Sequence, residues 1–435
     1  MKTAFIFTYY WPPSGGAGVQ RWVKFAKYFP LSGIKPVIIT VDAEKASYPI
    51  RDASLLKDIA PDIEVYRTHT FEPLSLYKTF TKSGEIPYGG FANEGKPGLL
   101  KKISRFIRGN FFIPDARIGW NRYAYQQALQ VLKTQKPSVI ITTSPPHSTQ
   151  LLGLRLKEKF SFPWIADLRD PWTEIYYYDK MLHTSFAREK DLKLERKVLE
   201  NADAIIVVSR AIRDAFLKKS PWIEASKFHI IPNGFDEDDF KEELKMPAED
   251  FVITYTGTIT SDYRLQSFIR AMQKMIFTYG KKIKFRFVGS LPKEVHQELM
   301  THLGDAYETI SHVSHAQAIT YMRSASALLL VIPDTADNKG ILTGKLFEYL
   351  ASRRPIIGIG PLDGEAAEIV DTCSSGHFFG YEDEKGLFLE IENLYLKALQ
   401  GKAWDEEVNK NYLRFSRQKQ TEELALLVER LSEKI

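Results

Sequence analysis

Short apolar runs alternate with helical stretches along almost the whole chain, and the pattern runs through twice. The first round has AFIFT (4–8), PVIIT (36–40), SVIITT (138–143), WIADL (164–168), AIIVVS (204–209) and FHIIP (228–232). The second has FVITYTGTI (251–259), KFRFVG (284–289), ALLLVI (327–332) and PIIGIG (355–360). Runs this short and this apolar are strands buried on both faces, and the intervening helices make the sheet parallel. The chain is therefore expected to be α/β, with two Rossmann-like domains that each open strand, glycine, helix. A length of 435 residues is also too much for a single core. The boundary falls in the charged connection near residues 235 to 250, giving domains at 1–235 and 236–403. The cleft between two such domains is the expected active site. A charged, amphipathic last segment, 404–435, is predicted as a helix from about Trp404 to Leu431.

Several classes are excluded early. The single cysteine, Cys373, rules out an internal disulfide, a CxxC redox pair and a cysteine-rich zinc site, and it fits a cytoplasmic protein. The opening MKTAFIFTYYWPP meets Pro-Pro too soon for a signal peptide and reads as a first strand. No apolar run approaches 18 residues, so no membrane span is expected. A formal charge of +5 is mild for this length and gives no argument for nucleic acid.

The densest chemistry lies at GILTGKLFEYLASRRPIIGIG, residues 340–360. A glycine-bounded turn of Gly340, Ile341, Leu342, Thr343 and Gly344 delivers Lys345 and Glu348 to the opening of a helix, three apart and on one face. A helix start presents unpaired N–H groups and partial positive charge to an anion, Lys345 adds a full charge, and a carboxylate accepts two hydrogen bonds from a ribose diol. The bland alternative is a surface lysine beside a solvated glutamate.

Other clusters also follow strands. Ser14-Gly15-Gly16-Ala17-Gly18-Val19-Gln20-Arg21, with Asp42 ending the second strand, invites a dinucleotide reading. The third glycine is replaced by Arg21, however, and Tyr9 to Pro13 separate strand from glycines. The loop reads instead as backbone open to a phosphate or sugar, or as a plain turn. Asp167-Leu168-Arg169-Asp170-Pro171-Trp172 emerges at a strand's carboxyl end, where open α/β sheets bind ligands, although Arg169 pairing with either Asp as a structural clamp is equally natural. His147, in SPPHS, either meets a sugar hydroxyl or serves as a structural hydrogen-bonder. Gly257, Thr258 and Arg264, after the first strand of the second domain, are candidates for donor phosphates, with a plain exposed arginine as the alternative. Asp236-Glu237-Asp238 is formally a DxD metal motif but trails an Asn-Gly turn as a solvated charge run, so no metal is expected.

Residues 82–113 join a glycine-rich loop to a basic-aromatic segment, in which Lys101, Lys102, Arg105 and Arg108 interleave with Ile103, Phe106, Ile107, Phe111 and Phe112. The composition of 101–113 suits peripheral docking on an anionic membrane or capture of a lipid-linked acceptor. The preferred reading is a helix that turns its aromatic face onto the core and leaves the basic groups solvated.

Taken in order, PPSGGAGVQR, FFIPDARIGW, TTSPPHS, DLRDPW, NADAIIVVS, IIPNGFD, YTGTI, FRFVG and GILTGKLFEYLASRRPIIGIG resemble the retaining GT-B glycosyltransferases of family 4, over nearly the whole chain. The resemblance implies two Rossmann-like domains facing across a cleft, the donor nucleotide held mainly by the second and the acceptor by the first. It also implies that the C-terminal helix crosses back onto the first domain. Gly16, Gly257, Gly289 and the 340–345 turn with Glu348 are then donor-side positions, with Lys345, Asp170 and His147 as catalytic candidates. Two positions depart from the family pattern: Gly340 stands where the first of a glutamate pair is expected, and Thr258 where many members carry arginine.

The function implied is transfer of a hexosyl unit from a nucleoside diphosphate sugar to a glycan or lipid-linked hydroxyl acceptor, with retention and without cofactor or metal. Cell-surface polysaccharide or glycolipid assembly, at the inner face of the plasma membrane, is the implied setting. The alternatives are a GT-B nucleotide-sugar epimerase, a non-catalytic nucleotide-sugar or membrane-binding protein, and a nicotinamide oxidoreductase. Backbone near His312 and His315 is expected to choose the donor base.

Overall fold

A computed structural model of the chain describes residues 1–72, 99–175, 178–241, 250–311, 313–401 and 410–433. The loop residues 82–98, most of the charged connection, the start of the last segment and His312 lie outside the described residues. The chain divides into two compact units, Met1–Pro232 with Arg417–Ile435, and Asn233–Ser416.

In the first unit, β1 (Lys2–Phe7), α1 (Ala17–Tyr28), β2 (Ile34–Val41) and β3 (Glu64–Thr68) come first. Then follow α2 (Leu99–Phe111), α3 (Asn121–Val131), β4 (Val139–Ser144), α4 (Gln150–Phe160), β5 (Trp164–Leu168), α5 (Ser185–Asn201), β6 (Ala204–Val207), α6 (Arg210–Lys219) and β7 (Phe228–Ile230). The seven strands are parallel in the order β3-β2-β1-β4-β5-β6-β7.

Alternation along β1 shows why helices are needed on both sides. Phe5 and Phe7 enter one core with Trp120, Ala124 and Trp164, while Ala4 and Ile6 enter the other with Trp22 and Phe25 of α1. The sheet order reverses direction between β1 and β4, so their carboxyl ends splay apart into a crevice.

The second unit contains β8 (Phe251–Thr258), α7 (Gln266–Tyr279), β9 (Ile283–Ser290), α8 (Lys293–Leu303), β10 (Tyr307–Ile310) and α9 (His315–Arg323). It continues with β11 (Ala327–Val331), α10 (Gly344–Ser352), β12 (Ile356–Ile359), α11 (Glu365–Thr372), β13 (Gly376–Phe379) and α12 (Glu384–Leu399). Its sheet is β10-β9-β8-β11-β12-β13, again with a switch point, here between β8 and β11. Leu329 and Val331 face the core of α7 and α12, and Leu328 and Leu330 face that of α10.

The last helix, α13 (Arg417–Ser432), belongs to the first unit. Leu424, Ala425, Leu427, Val428 and Leu431 are buried in the core that α1 also fills. Gln420 donates to the Pro232 carbonyl at 3.0 Å, tying the helix to the end of the chain's first passage through this unit. Among the described residues no helix is long and apolar enough to cross a membrane.

Candidate functional site

At the switch point of the second unit, α10 begins after Thr343, whose side chain makes no capping hydrogen bond. A threonine at this position ordinarily accepts one of the first-turn N–H groups. Here its Oγ1 is buried with no hydrogen-bond partner; the Leu346 N–H donates to the Thr343 carbonyl at 3.2 Å, which leaves the N–H groups of Gly344 and Lys345 ahead of the first helical bond. Leu346, Phe347, Tyr349 and Leu350 anchor the helix in the core. Lys345 and Glu348 remain on its flank.

Lys345 Nζ donates to Tyr255 Oη at 2.5 Å and lies 4.0 Å from the centre of that ring. Tyr255 Oη in turn donates to the Thr258 carbonyl at 3.1 Å. The fit depends on two paired glycines. Gly257 has φ +111°, and a Cβ there would sit 3.0 Å from Lys345 Nζ. Gly289 has φ +140°, and a Cβ there would come within 2.0 Å of the Gly257 carbonyl oxygen. Only glycine gives both the dihedral and the space. Burial lowers the Lys345 ammonium to about 7, and nearby Glu348 opposes the shift. The result is a desolvated cation beside open helix N–H groups.

One turn along α10, Glu348 Oε1 accepts from His315 Nε2 at 2.8 Å. His315 opens α9, which Ser314 and Gln317 close with a capping box. Thr258 is exposed, and Gly340, Ile341 and Leu342 are half-buried, forming the loop that leads into α10. Arg264, expected to be either a phosphate ligand or a plain exposed arginine, is exposed and held in ion pairs. Its Nε meets Asp334 at 2.7 Å and its Nη1 meets Glu382 at 3.3 Å, so it clasps the loops after β11 and β13.

In the first unit, Gly16, His147 and Asp170 lie on the loops after β1, β4 and β5, around that sheet's crevice. Gly16 caps α1 with φ +107°. His147 is buried, stacks on Trp172 with ring centres 5.0 Å apart, and approaches the Asp170 carbonyl at 3.5 Å. Its turn is fixed by Asp115 of FFIPDARIGW, which accepts from the Ser148 N–H at 2.7 Å and the Ser148 hydroxyl at 2.8 Å. Trp172 is held by Asp191, which also accepts from Tyr178; burial pushes the Asp191 carboxyl up to about 6. The half-buried Asp170 lies close enough for its charge to favour the protonated His147 imidazole, against the larger effect of burial.

Arg169 does not clamp either neighbouring aspartate. Its Nε donates to the Ser144 carbonyl at 2.9 Å, and its guanidinium lies on the first turn of α1, where a Cβ on Gly18 would be 1.8 Å from Nη1. Asp167 pairs instead with Arg21, the residue that breaks the dinucleotide pattern, at 3.3 Å. The glycine cluster therefore ends in a buried structural arginine. Asp236 of the DxD accepts from the Asp238 N–H at 3.2 Å, capping a short turn. Among the described residues, no His, Cys, Asp or Glu cluster is arranged to hold a metal ion.

Burial also lowers the His147 imidazole to about 4, against about 6.5 in an unfolded chain. As pH falls the unfolded chain takes up this proton first. Stability is therefore full above about pH 6.5 and declines by at most about 1.4 kcal/mol per pH unit down to pH 4. A His147→Gln variant should flatten this acid limb in urea titrations, and an unchanged limb would remove His147 as its source.

Tyr255, Asp115 and Asp191 were not singled out in sequence. Tyr255 and Asp115 lie inside stretches that drew attention, YTGTI and FFIPDARIGW, but nothing in their spacing says which side chain they hold.

Residues 89–239 match the family model described as Glycosyltransferase Family 4. No curated protein matches the chain in sequence. Among solved structures, a glycosyltransferase from Rickettsia africae aligns at TM-score 0.63 and 13% identity, covering 100% of this chain and 99% of that one. Anabaena Alr3699/HepE in complex with UDP aligns at 0.57 and 14%, covering 100% and 98%. WaaG, a glycosyltransferase involved in lipopolysaccharide biosynthesis, aligns at 0.57 and 12%, covering 98% and 99%. Residues 89–239 thus carry a stretch similar to Glycosyltransferase Family 4, and the chain as a whole has the two-unit GT-B fold of the glycosyltransferase structures it resembles.

Proposed function

We propose that the chain moves a hexosyl unit from a nucleoside diphosphate sugar, UDP-linked in the first instance, to a hydroxyl acceptor with retention of configuration. The observation that carries this reading is the start of α10: a desolvated Lys345, an unpartnered Thr343 hydroxyl and open N–H groups, with Glu348 one turn beyond. These are the groups a diphosphate and its ribose require. UDP in the HepE complex supports uridine as the first base to test.

The bond from the anomeric carbon to the diphosphate oxygen breaks as the acceptor oxygen attacks from the same face. The acceptor proton passes to the departing phosphate. Negative charge grows on the leaving group, so stabilisation falls to Lys345 and the helix N-terminus, with Arg264 holding the adjoining loops. The second unit is the donor side and the first unit the acceptor side, where Asp170 is available to an acceptor hydroxyl. No metal is needed in this scheme. The proposed setting is polysaccharide or glycolipid assembly at the inner face of the plasma membrane; the lipopolysaccharide biosynthesis named for WaaG supports the glycan-assembly part of it.

His315 positions Glu348 for the ribose. His315→Ala should raise the donor KM about tenfold with little change in kcat, the scale of one hydrogen bond to a charged group. With a donor lacking the ribose 2′ and 3′ hydroxyls, the same substitution should cost almost nothing. An equal penalty on both donors would make His315 merely structural.

The overall test screens UDP, GDP, ADP, CMP and dTDP sugars by thermal shift, then follows labelled sugar with and without acceptor. Acceptor-dependent label transfer with the donor's anomeric configuration retained supports the proposal. Donor turnover without acceptor indicates an epimerase, and binding without turnover a non-catalytic protein.

A further inference from the structure

The basic-aromatic helix sits the opposite way round from the preferred sequence reading. Along α2, Ile103, Phe106, Ile107 and Phe111 fall at i, i+3, i+4 and i+8, one stripe of the helix surface. They are 47, 41, 44 and 73% exposed. The helix is held at its last turn, where Gly109 falls beside the stripe and Asn110, at i+7 from Ile103, falls on it. A Cβ on Gly109 would lie 2.5 Å from the Met181 carbonyl oxygen, so the backbones touch there. Asn110 donates to the Leu182 carbonyl at 3.0 Å and accepts from the Thr184 N–H at 2.7 Å. The Nε atoms of Arg105 and Arg108 are buried. Leu182 and Phe186, on the segment that Asn110 grips, add two more exposed apolar side chains, 46 and 75% open.

A contiguous apolar stripe of this kind marks a surface that something covers. Charge identifies the partner. Residues 99–111 contain Lys101, Lys102, Arg105 and Arg108 and no acid. At 100° per residue, Lys102 falls on one flank of the stripe and Arg108 on the other. Apolar residues along the middle with cations at both edges is the arrangement of a helix lying in the plane of an anionic bilayer surface. A second copy of the chain fits less well, since a twofold contact through this stripe sets the same basic segment against itself.

We propose that α2, with Leu182 and Phe186, is a membrane-docking face that seats the first unit on anionic lipid. The inference deepens the proposed setting of the reaction and rests on it only for the acceptor's location. Vesicle binding is read without donor or acceptor, so the docking face and the transfer reaction fail separately.

The experiment uses the full chain in co-sedimentation with phosphatidylcholine vesicles, and with the same vesicles carrying phosphatidylglycerol. The wild type should pellet with the anionic vesicles and be partly released by salt. Phe106→Ser with Ile107→Ser should lower that binding at least about tenfold while leaving the donor-induced thermal shift intact, and Lys102→Glu should weaken it on anionic vesicles only. Three results would overturn the proposal: no wild-type binding to anionic vesicles, equal binding by the double variant, or a self-associating wild type whose dimer is abolished by the same two substitutions. The last would assign the stripe to a second copy.

Discussion

Lys345→Ala should lower kcat by about 10²–10³ while the protein keeps its fold. That is the cost of removing one group aimed at charge that develops in the transition state. Lys345 is poorly solvated, bonded to Tyr255 and closely bordered by Gly257, so its ammonium meets a diphosphate with little water left to displace.

The same geometry gives a pH signature. Only the protonated lysine serves a departing diphosphate, and burial brings its pKa down to about 7. In the free enzyme kcat/KM for the donor should therefore fall as pH rises through about 7. A bound diphosphate stabilises the ammonium, so the fall in kcat itself should move to higher pH. Lys345→Arg should abolish the limb, because a guanidinium stays charged throughout. If the alanine variant retains wild-type kcat, or the limb survives in the arginine variant, the leaving group is stabilised elsewhere.

Asp167→Ala should destabilise the first unit by about 3–5 kcal/mol, as expected when a buried pair loses one partner. Asp167 and Arg21 are both fully buried. Asp167 also accepts from Trp22 Nε1 at 2.8 Å and Thr143 Oγ1 at 2.7 Å, so three donors lose their acceptor at once. Arg21 additionally donates to the Pro232 and Ile231 carbonyls, at 2.7 and 2.9 Å. Burial lowers the Arg21 pKa and Asp167 opposes that shift, so the aspartate is what keeps a guanidinium tolerable there. Urea denaturation measures the loss. Arg21→Met with Asp167→Leu should recover part of it, because the double variant buries no orphaned charge. A single-variant cost below about 1 kcal/mol would mean that water reaches the pair.

The sequence alone determined the alternation that specifies two doubly wound sheets, because strands buried on both faces must be apolar throughout. β3, β10 and β13 lie at sheet edges and are only partly buried, so no apolar run announced them. The helix-opening turn at Gly340 to Lys345 and the three-residue step to Glu348 were also legible, since both are local. Pairings between distant residues were not. Arg169 and Arg21 are both arginines near aspartates in sequence, yet tertiary packing gave Asp167 to Arg21 and laid Arg169 on α1. Composition likewise left α2 free to bury either face, and in the fold its apolar stripe stays exposed while Gly109 and Asn110 of its last turn meet residues 181–184, about 70 positions away. Periodicity sets which residues share a face, but which face is covered depends on contacts between parts of the chain far apart in sequence, and only the tertiary structure decides those.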